Sequence, residues 1–133
     1  MPRSEILIAG LLLVAGCSLL SPAYALLPEL IGRWEWEEST GGFAGLRLTP
    51  DSTGYTIMLT FHTDGTFVWH RSDQGPLTGL YQLVRRNGTW HIRYRPADHR
   101  WMPEQRIDFA APDTLRLHDR CEDCFSHRFH RVQ

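Results

Sequence analysis

The sequence predicts an all-β domain that closes into an eight-stranded up-and-down antiparallel barrel. From Leu30 onward, alternating apolar and polar runs are separated by turn signals about every 8 to 12 residues, without helical periodicity. Two of the turns, Asp64-Gly65 and Asn87-Gly88, are dipeptides typical of tight β-hairpins. Sequential hairpins pair neighbouring strands, and pairing the last strand with the first removes both exposed edges. A β-sandwich is the alternative, but no long Greek-key connection is evident.

The first three strands follow from their alternation. Strand 31–37 carries Trp34 and Trp36 on one face and acidic residues on the other. Strand 55–61 has apolar residues at its odd positions, and the first hairpin dipeptide leads from it into strand 66–69. These runs therefore each predict one face that points into the barrel.

The second half of the chain continues the same pattern. The remaining predicted strands are 79–86, 90–95, 106–110, 114–118 and 125–132. The residues expected to point inward are Trp34, Trp36, Ile57, Leu59, Phe61, Phe67, Trp69, Tyr81, Leu83, Trp90, Ile92, Tyr94, Ile107, Phe109, Leu115, Leu117, Phe125 and Phe129. Most are aromatic, so they could fill an eight-stranded barrel or leave room for one small ligand, and both interpretations stay open.

Residues 1–25 predict an export signal. Their apolar run, 6–16, is too short to span a bilayer as a permanent helix, which needs about 20 apolar residues. Two cleavage sites compete. The stretch 14–17 resembles a bacterial lipobox, in which Cys17 would be lipidated, and 23–25 is an A-x-A signal-peptidase site.

The domain organisation follows from this choice. It consists of a signal peptide, 1–25, or a lipoprotein signal, 1–16, with a lipid on Cys17, and of a barrel domain, 26–133. We therefore expect an exported protein, either in the periplasm or anchored to the outer membrane. With 14 basic and 15 acidic residues, the charge does not indicate nucleic acid. Membrane contact is expected only through the candidate anchor at Cys17.

The stretch Gly32-Arg33-Trp34 resembles a known family. G-x-W on the first strand of an eight-strand meander, in an exported chain, is similar to the lipocalin and fatty-acid-binding (calycin) superfamily, and in particular to small exported bacterial lipocalin-like domains. The resemblance implies structural roles for Gly32 and Trp34 at the closed end of the barrel, with an arginine near the chain end, Arg131 or Arg128, lying across the tryptophan. It also implies that the first loop covers the barrel mouth.

The candidate ligand-binding residues combine the inward alternation with this resemblance. They are Trp36, Phe43, Phe61, Trp69, Tyr94, His127 and Arg131. Phe43 lies in the longest break of the meander and is a candidate lid, or alternatively one apolar anchor of an exposed loop. The resemblance allows two interpretations of Arg131, because this residue could stack on Trp34 or bind a ligand carboxylate.

The segment CEDCFSHRFH, 121–130, raises the question of a metal site. Its four candidate ligands lie too close together in sequence for a zinc site, and on a strand His127 and His130 point to opposite faces. A thioredoxin-type motif would require a helix in a βαβ unit. Cys121 and Cys124 therefore predict a disulfide that closes the turn before the last strand. No metal and no cofactor are expected.

Enzyme motifs are not found in the sequence. Neither G-x-S-x-G nor H-E-x-x-H occurs, and acids such as Glu35, Glu37 and Asp108 alternate to the solvated outer face. We expect no catalytic residues and no enzymatic activity. The leading hypothesis is a barrel that binds a small apolar or amphipathic molecule. The alternative is a packed-barrel envelope protein that acts through a protein partner.

Overall fold

The computed structural model describes residues 27–133, so the predicted export signal and Cys17 lie outside the described residues. Its strands are β1 (Gly32–Gly41), β2 (Leu46–Leu48), β3 (Ile57–Phe61), β4 (Thr66–Arg71), β5 (Leu77–Arg86), β6 (Thr89–Pro96), β7 (Gln105–Ala111), β8 (Thr114–Asp119) and β9 (Phe125–Val132). A 3-10 helix spans Pro28–Leu30, and a one-turn helix, α1, spans Pro50–Thr53. None of the helices in this part of the chain has the length and apolar character needed to cross a membrane.

The strands form a closed antiparallel barrel. β1 and β3 to β9 follow one another around it, and β1 pairs with β9 from Arg33↔Val132 to Gly41↔Phe125, which closes the circle. This confirms the predicted all-β, eight-stranded up-and-down fold. β2 is an additional strand, which pairs with the last residues of β1 outside the eight-strand circle.

The long break after the first predicted strand is more ordered than the sequence indicated. β1 continues to Gly41 and folds back onto β2 as a hairpin. Thr49 caps α1 with its side chain, through a reciprocal pair of hydrogen bonds with Ser52, and Gly54 ends the helix at a positive φ of 81°. Short local motifs of this kind leave no apolar periodicity, so alternation could not reveal them.

The two ends of the barrel differ. The open end carries the β1–β3, β4–β5, β6–β7 and β8–β9 connections, and the closed end carries segment 27–31 and the short turns. At the closed end, Trp34 donates its indole N–H to the Leu30 carbonyl at 2.9 Å. The Arg131 guanidinium lies 4.2 Å from the centre of the Trp34 ring and donates to the Ile31 carbonyl at 2.9 Å. A Cβ on Gly32, whose φ is +131°, would lie 2.8 Å from Arg131 Nη1, so this position needs glycine.

The core occupies the interior of the barrel. Its buried residues are Leu30, Trp34, Trp36, Leu59, Phe61, Phe67, Leu77, Ile92, Ile107, Leu115, Leu117 and Phe129. Every residue that we expected to point inward belongs to this core or packs against it, with the exception of Phe125. Alternation therefore identified the interior, and the space left in it lies at the open end.

The seam between β6 and β7 is the weakest in the barrel. Only two residue pairs, His91↔Arg106 and Ile92↔Gln105, join these strands through the backbone. Beside them the Glu104 carboxylate accepts two hydrogen bonds from Arg86, at 2.8 and 3.0 Å, and one from Arg120 at 3.0 Å. Side-chain ion pairing thus reinforces the seam where backbone pairing is sparse.

Candidate functional site

A cavity of about 190 Å³ lies inside the open end of the barrel. The residues around it are Trp36, Ser39, Leu48, Tyr55, Ile57, Leu59, Trp69, Tyr94, Met102, Gln105, Leu117, Phe125, His127 and Phe129. A wider cleft of about 810 Å³ lies at the closed end, but it is an open depression beside Leu27. The one arginine that lines it, Arg131, already stacks on Trp34 and donates to the Ile31 carbonyl. The interior cavity is therefore the candidate site.

The walls of the cavity are largely apolar, and six of the fourteen lining residues are Trp, Tyr or Phe. Trp36 and Tyr55 stack with ring centres 5.7 Å apart and planes 16° from parallel. The ring of Tyr94 packs edge-on against the ring of Phe67, with ring centres 5.0 Å apart, and this contact holds the Tyr94 ring in place inside the barrel. Met102 contributes a flexible thioether from the β6–β7 connection. These walls favour an apolar or aromatic body in the cavity.

One side of the cavity holds a continuous chain of hydrogen bonds. Trp36 donates its indole N–H to Ser39 Oγ at 2.8 Å, and Ser39 Oγ lies 2.6 Å from His127 Nδ1. His127 Nε2 lies 3.1 Å from both carboxylate oxygens of Asp119. An ionised carboxylate can only accept hydrogen bonds. His127 therefore carries a proton on Nε2, and this N–H donates a hydrogen bond to Asp119.

The chain continues through β7 to β6. Gln105 donates an amide N–H to Asp119 at 2.8 Å, and Tyr94 donates its hydroxyl to Gln105 Oε1 at 2.6 Å. Burial acts to raise the pKa of Asp119, but the hydrogen bonds and charge of His127, the Gln105 amide and the Phe125 backbone outweigh it and lower that pKa. Burial raises the pKa of Tyr94, with the Asp119 charge adding to the effect. Asp119 is thus anionic and Tyr94 a neutral hydroxyl.

A β-bulge in β1 turns Ser39 into the cavity. Trp36 pairs with Phe129 but Glu38 pairs with Arg128, so one extra residue is inserted between them. Glu38 then points outward to Arg47, and Ser39 is only 5% exposed. Strict alternation from Trp36 gives the opposite assignment, and this is why the sequence did not indicate Ser39.

The structure brings together four of the seven candidate ligand-binding residues. Trp36, Trp69, Tyr94 and His127 line the cavity. Phe61 lies beneath it, buried against Tyr94 with ring centres 6.5 Å apart. Phe43 is 94% exposed at the tip of the β1–β2 hairpin, and Arg131 lies at the opposite end of the barrel on Trp34. A lid role for Phe43 stays a prediction.

Sequence reasoning missed several polar members of the site. Gln105 and Asp119 continue the inward parity of Ile107 and Leu117, but they lie one residue beyond the strands as predicted. The apolar pattern stops at Arg106 and His118, so alternation of apolar residues predicts strands that end one residue short of both side chains. Extending the parity by one position at the open end would have found both residues.

The predicted disulfide between Cys121 and Cys124 is present, with their Cα atoms 5.5 Å apart. It closes the β8–β9 turn directly between Asp119 and Phe125. His127 points into the cavity, whereas His130 lies outside, with Nδ1 3.4 Å from Glu37. Within residues 27–133, no group of three or more His, Cys, Asp or Glu side chains is arranged to hold a metal ion.

The comparisons with known proteins concern the fold alone. No protein-family model matches the chain, and no curated protein matches it significantly. Among solved structures, it is similar to a de novo designed fluorescence-activating β-barrel, with a TM-score of 0.46 and 20% sequence identity. That match covers 79% of this chain and 95% of the designed one.

Proposed function

We propose that the protein is an exported lipocalin-like barrel that binds a small apolar or amphipathic molecule and performs no catalysis. The observation that carries the proposal is the cavity of about 190 Å³ at the open end, with largely apolar walls and one polar side. Apolar pockets with a few convergent polar groups are the usual form of small-molecule sites. The corner formed by Trp34 and Arg131 supports the lipocalin-like assignment.

The volume of the cavity limits the size of the ligand. Drug-sized ligands occupy pockets of about 300–1,000 Å³, whereas an apolar cavity of about 150 Å³ accommodates benzene. A cavity of about 190 Å³ therefore fits one substituted ring or a short acyl chain. A long-chain fatty acid would have to extend through the mouth of the barrel.

The group Ser39, His127 and Asp119 contains the residue types of a hydrolase triad. Here the Trp36 indole N–H donates to the same Ser39 oxygen that would have to attack a substrate. That hydrogen bond withdraws electron density from the oxygen and makes it a poorer nucleophile. We therefore assign the group a structural and ligand-positioning role. Hydrolysis of p-nitrophenyl acetate that is lost in Ser39→Ala would contradict the assignment.

Ligand extraction and titration test the binding proposal. The protein is purified from its host and extracted with solvent, and the extract is searched for a stoichiometric small molecule by mass spectrometry. Single-ring compounds are then titrated by calorimetry. Met102→Trp should fill the cavity and weaken binding at least 10-fold, while Leu80→Trp, on the outer wall, should leave it unchanged. An empty extract together with no binding to the panel would refute the proposal.

The alternative function, contact with a protein partner, is favoured by exposed side chains on the open-end loops. Trp101 is 78% exposed on the β6–β7 connection, and Phe43 is exposed on the β1–β2 hairpin. A partner that is captured by the wild-type protein and lost with Phe43→Ser and Trp101→Ser would support this function.

Intact mass tests the export proposal, because it distinguishes a lipid-modified start at Cys17 from an unmodified start at Leu26.

A further inference from the structure

We propose that the cavity selects a neutral ligand that carries a hydroxyl group, which donates a hydrogen bond to Tyr94 Oη, and that it rejects carboxylates of the same shape. This inference rests on the proposed binding function and names the chemical class of the ligand. Its evidence is the charge on the polar side of the cavity and the use of the donors there.

The charges on the polar side of the cavity exclude an anionic ligand. Asp119 is the acidic group of the hydrogen-bond chain, and His127 is the one basic residue among those that line the cavity. With His127 neutral the chain carries one negative charge, and with His127 protonated it carries none. A ligand carboxylate would be an unpaired buried anion in either state, which is strongly unfavourable. Arg131, the residue that could have paired with it, lies at the closed end.

A cationic ligand finds no free carboxylate either. Both oxygens of Asp119 face His127 Nε2 at 3.1 Å, and one of them also accepts from Gln105 at 2.8 Å. Asp119 therefore directs its charge into the hydrogen-bond chain and not into the cavity. An ammonium group would lose its hydration without gaining an ion pair.

The donors of Trp36 and Tyr94 are also used within the chain. The indole of Trp36 has one N–H, which goes to Ser39, and the hydroxyl of Tyr94 has one proton, which goes to Gln105. The Tyr94 oxygen keeps its lone pairs, and the structure records no donor to it within residues 27–133. An acceptor with free lone pairs on a residue that lines the cavity favours a ligand that supplies a donor, because a ligand without one leaves that oxygen without a hydrogen bond to accept.

A set of four compounds with the same skeleton tests the inference. Toluene, 4-methylphenol, 4-methylbenzoate and 4-methylbenzylamine are titrated by calorimetry into the full exported protein. We expect 4-methylphenol to bind about 3- to 10-fold more tightly than toluene. The benzoate and the amine should bind at least 10-fold more weakly than the phenol.

Tyr94→Phe removes the proposed acceptor and keeps the ring. It should lower the affinity for 4-methylphenol about 3- to 10-fold and leave toluene binding unchanged, which also shows that the cavity is still formed. Tyr81→Phe is the matched control, because the Tyr81 hydroxyl donates to the His62 carbonyl at 2.8 Å and does not line the cavity. It should leave the affinities for both compounds unchanged.

The outcomes separate this inference from the proposed function. If toluene and the phenol bind equally, if the benzoate or the amine binds as well as the phenol, or if Tyr94→Phe leaves the phenol affinity unchanged, this inference is overturned and ligand binding stands. If none of the four compounds binds, this inference is overturned, and the proposed function fails with it only where the solvent extract is also empty.

Discussion

Replacing Glu104 by glutamine tests how the weak β6–β7 seam is held. Its carboxylate accepts hydrogen bonds from Arg86 and Arg120, and Arg93 Nε and His91 Nδ1 approach it at 3.5 and 3.6 Å. The hydrogen bond from Arg86 is the main cause that lowers the pKa of Glu104 from 4.5 to about 2, with Arg120 adding to it against the opposing effect of burial. The folded state therefore favours the ionised form.

The pKa difference sets an upper limit on the effect. A fall from 4.5 to about 2 corresponds to roughly 3 kcal/mol, at about 1.36 kcal/mol per unit. The side chain of Glu104 is 13% exposed, but those of Arg93 and Arg120 are 54% and 55% exposed, so water screens part of the interaction. We expect Glu104→Gln to lower the free energy of unfolding at pH 7 by about 1–2 kcal/mol.

The pH dependence has a defined sign. Because the folded pKa is below the unfolded one, the contribution is fully present above about pH 5 and is lost as the pH falls toward 2. Urea unfolding at pH 7, 4 and 2.5 should show the wild type and Glu104→Gln converging in acid. Glu122→Gln, at an exposed position in the β8–β9 turn, is the control and should match the wild type at pH 7. Equal stability of the two proteins at pH 7, or an undiminished gap at pH 2.5, would refute the reasoning.

Three further predictions concern the closed end, the disulfide and one close backbone contact. Arg131→Met should lower the free energy of unfolding by about 2 kcal/mol in urea titrations while leaving ligand affinity unchanged, because it removes donors and a cation from the closed end only. Cys121→Ser with Cys124→Ser should cost roughly 1–2 kcal/mol, since the loop is short, and thiol labelling of the wild type should require prior reduction. Gly79→Ala should cost at least about 2 kcal/mol in thermal unfolding, because its Cβ would overlap a β6 carbonyl, whereas Gly75→Ala has open space and should stay within about 0.5 kcal/mol.

The fold could be predicted because its signals are local and repeated. The Asp64-Gly65 and Asn87-Gly88 dipeptides occupy the β3–β4 and β5–β6 turns, and alternation assigned the inner faces of the strands. Gly65 and Gly88 have positive φ values of 86° and 79°, which such turns require. Closure then follows from the unfavourable exposure of two strand edges.

The site was predicted only in part, because its geometry depends on departures from the regular pattern. Tyr94 and His127 lie in regular stretches and were identified. Ser39 was not, because the extra residue at Glu37–Glu38 reverses the parity after Trp36. A bulge has no reliable sequence signal, and this one is seen only as a register shift in the pairing of β1 with β9.

The polar side of the cavity depends on two local features at the same end of the barrel. The β1 bulge brings Ser39 to His127 Nδ1, and the Cys121–Cys124 turn joins Asp119 to the strand that carries the same histidine. The Cys124 carbonyl also accepts the Gly42 N–H at 3.4 Å, which ties the disulfide turn to the β1–β2 hairpin. Reduction of the disulfide should therefore disturb ligand binding before it disturbs the Trp34–Arg131 contact, because that contact lies at the opposite end of the barrel.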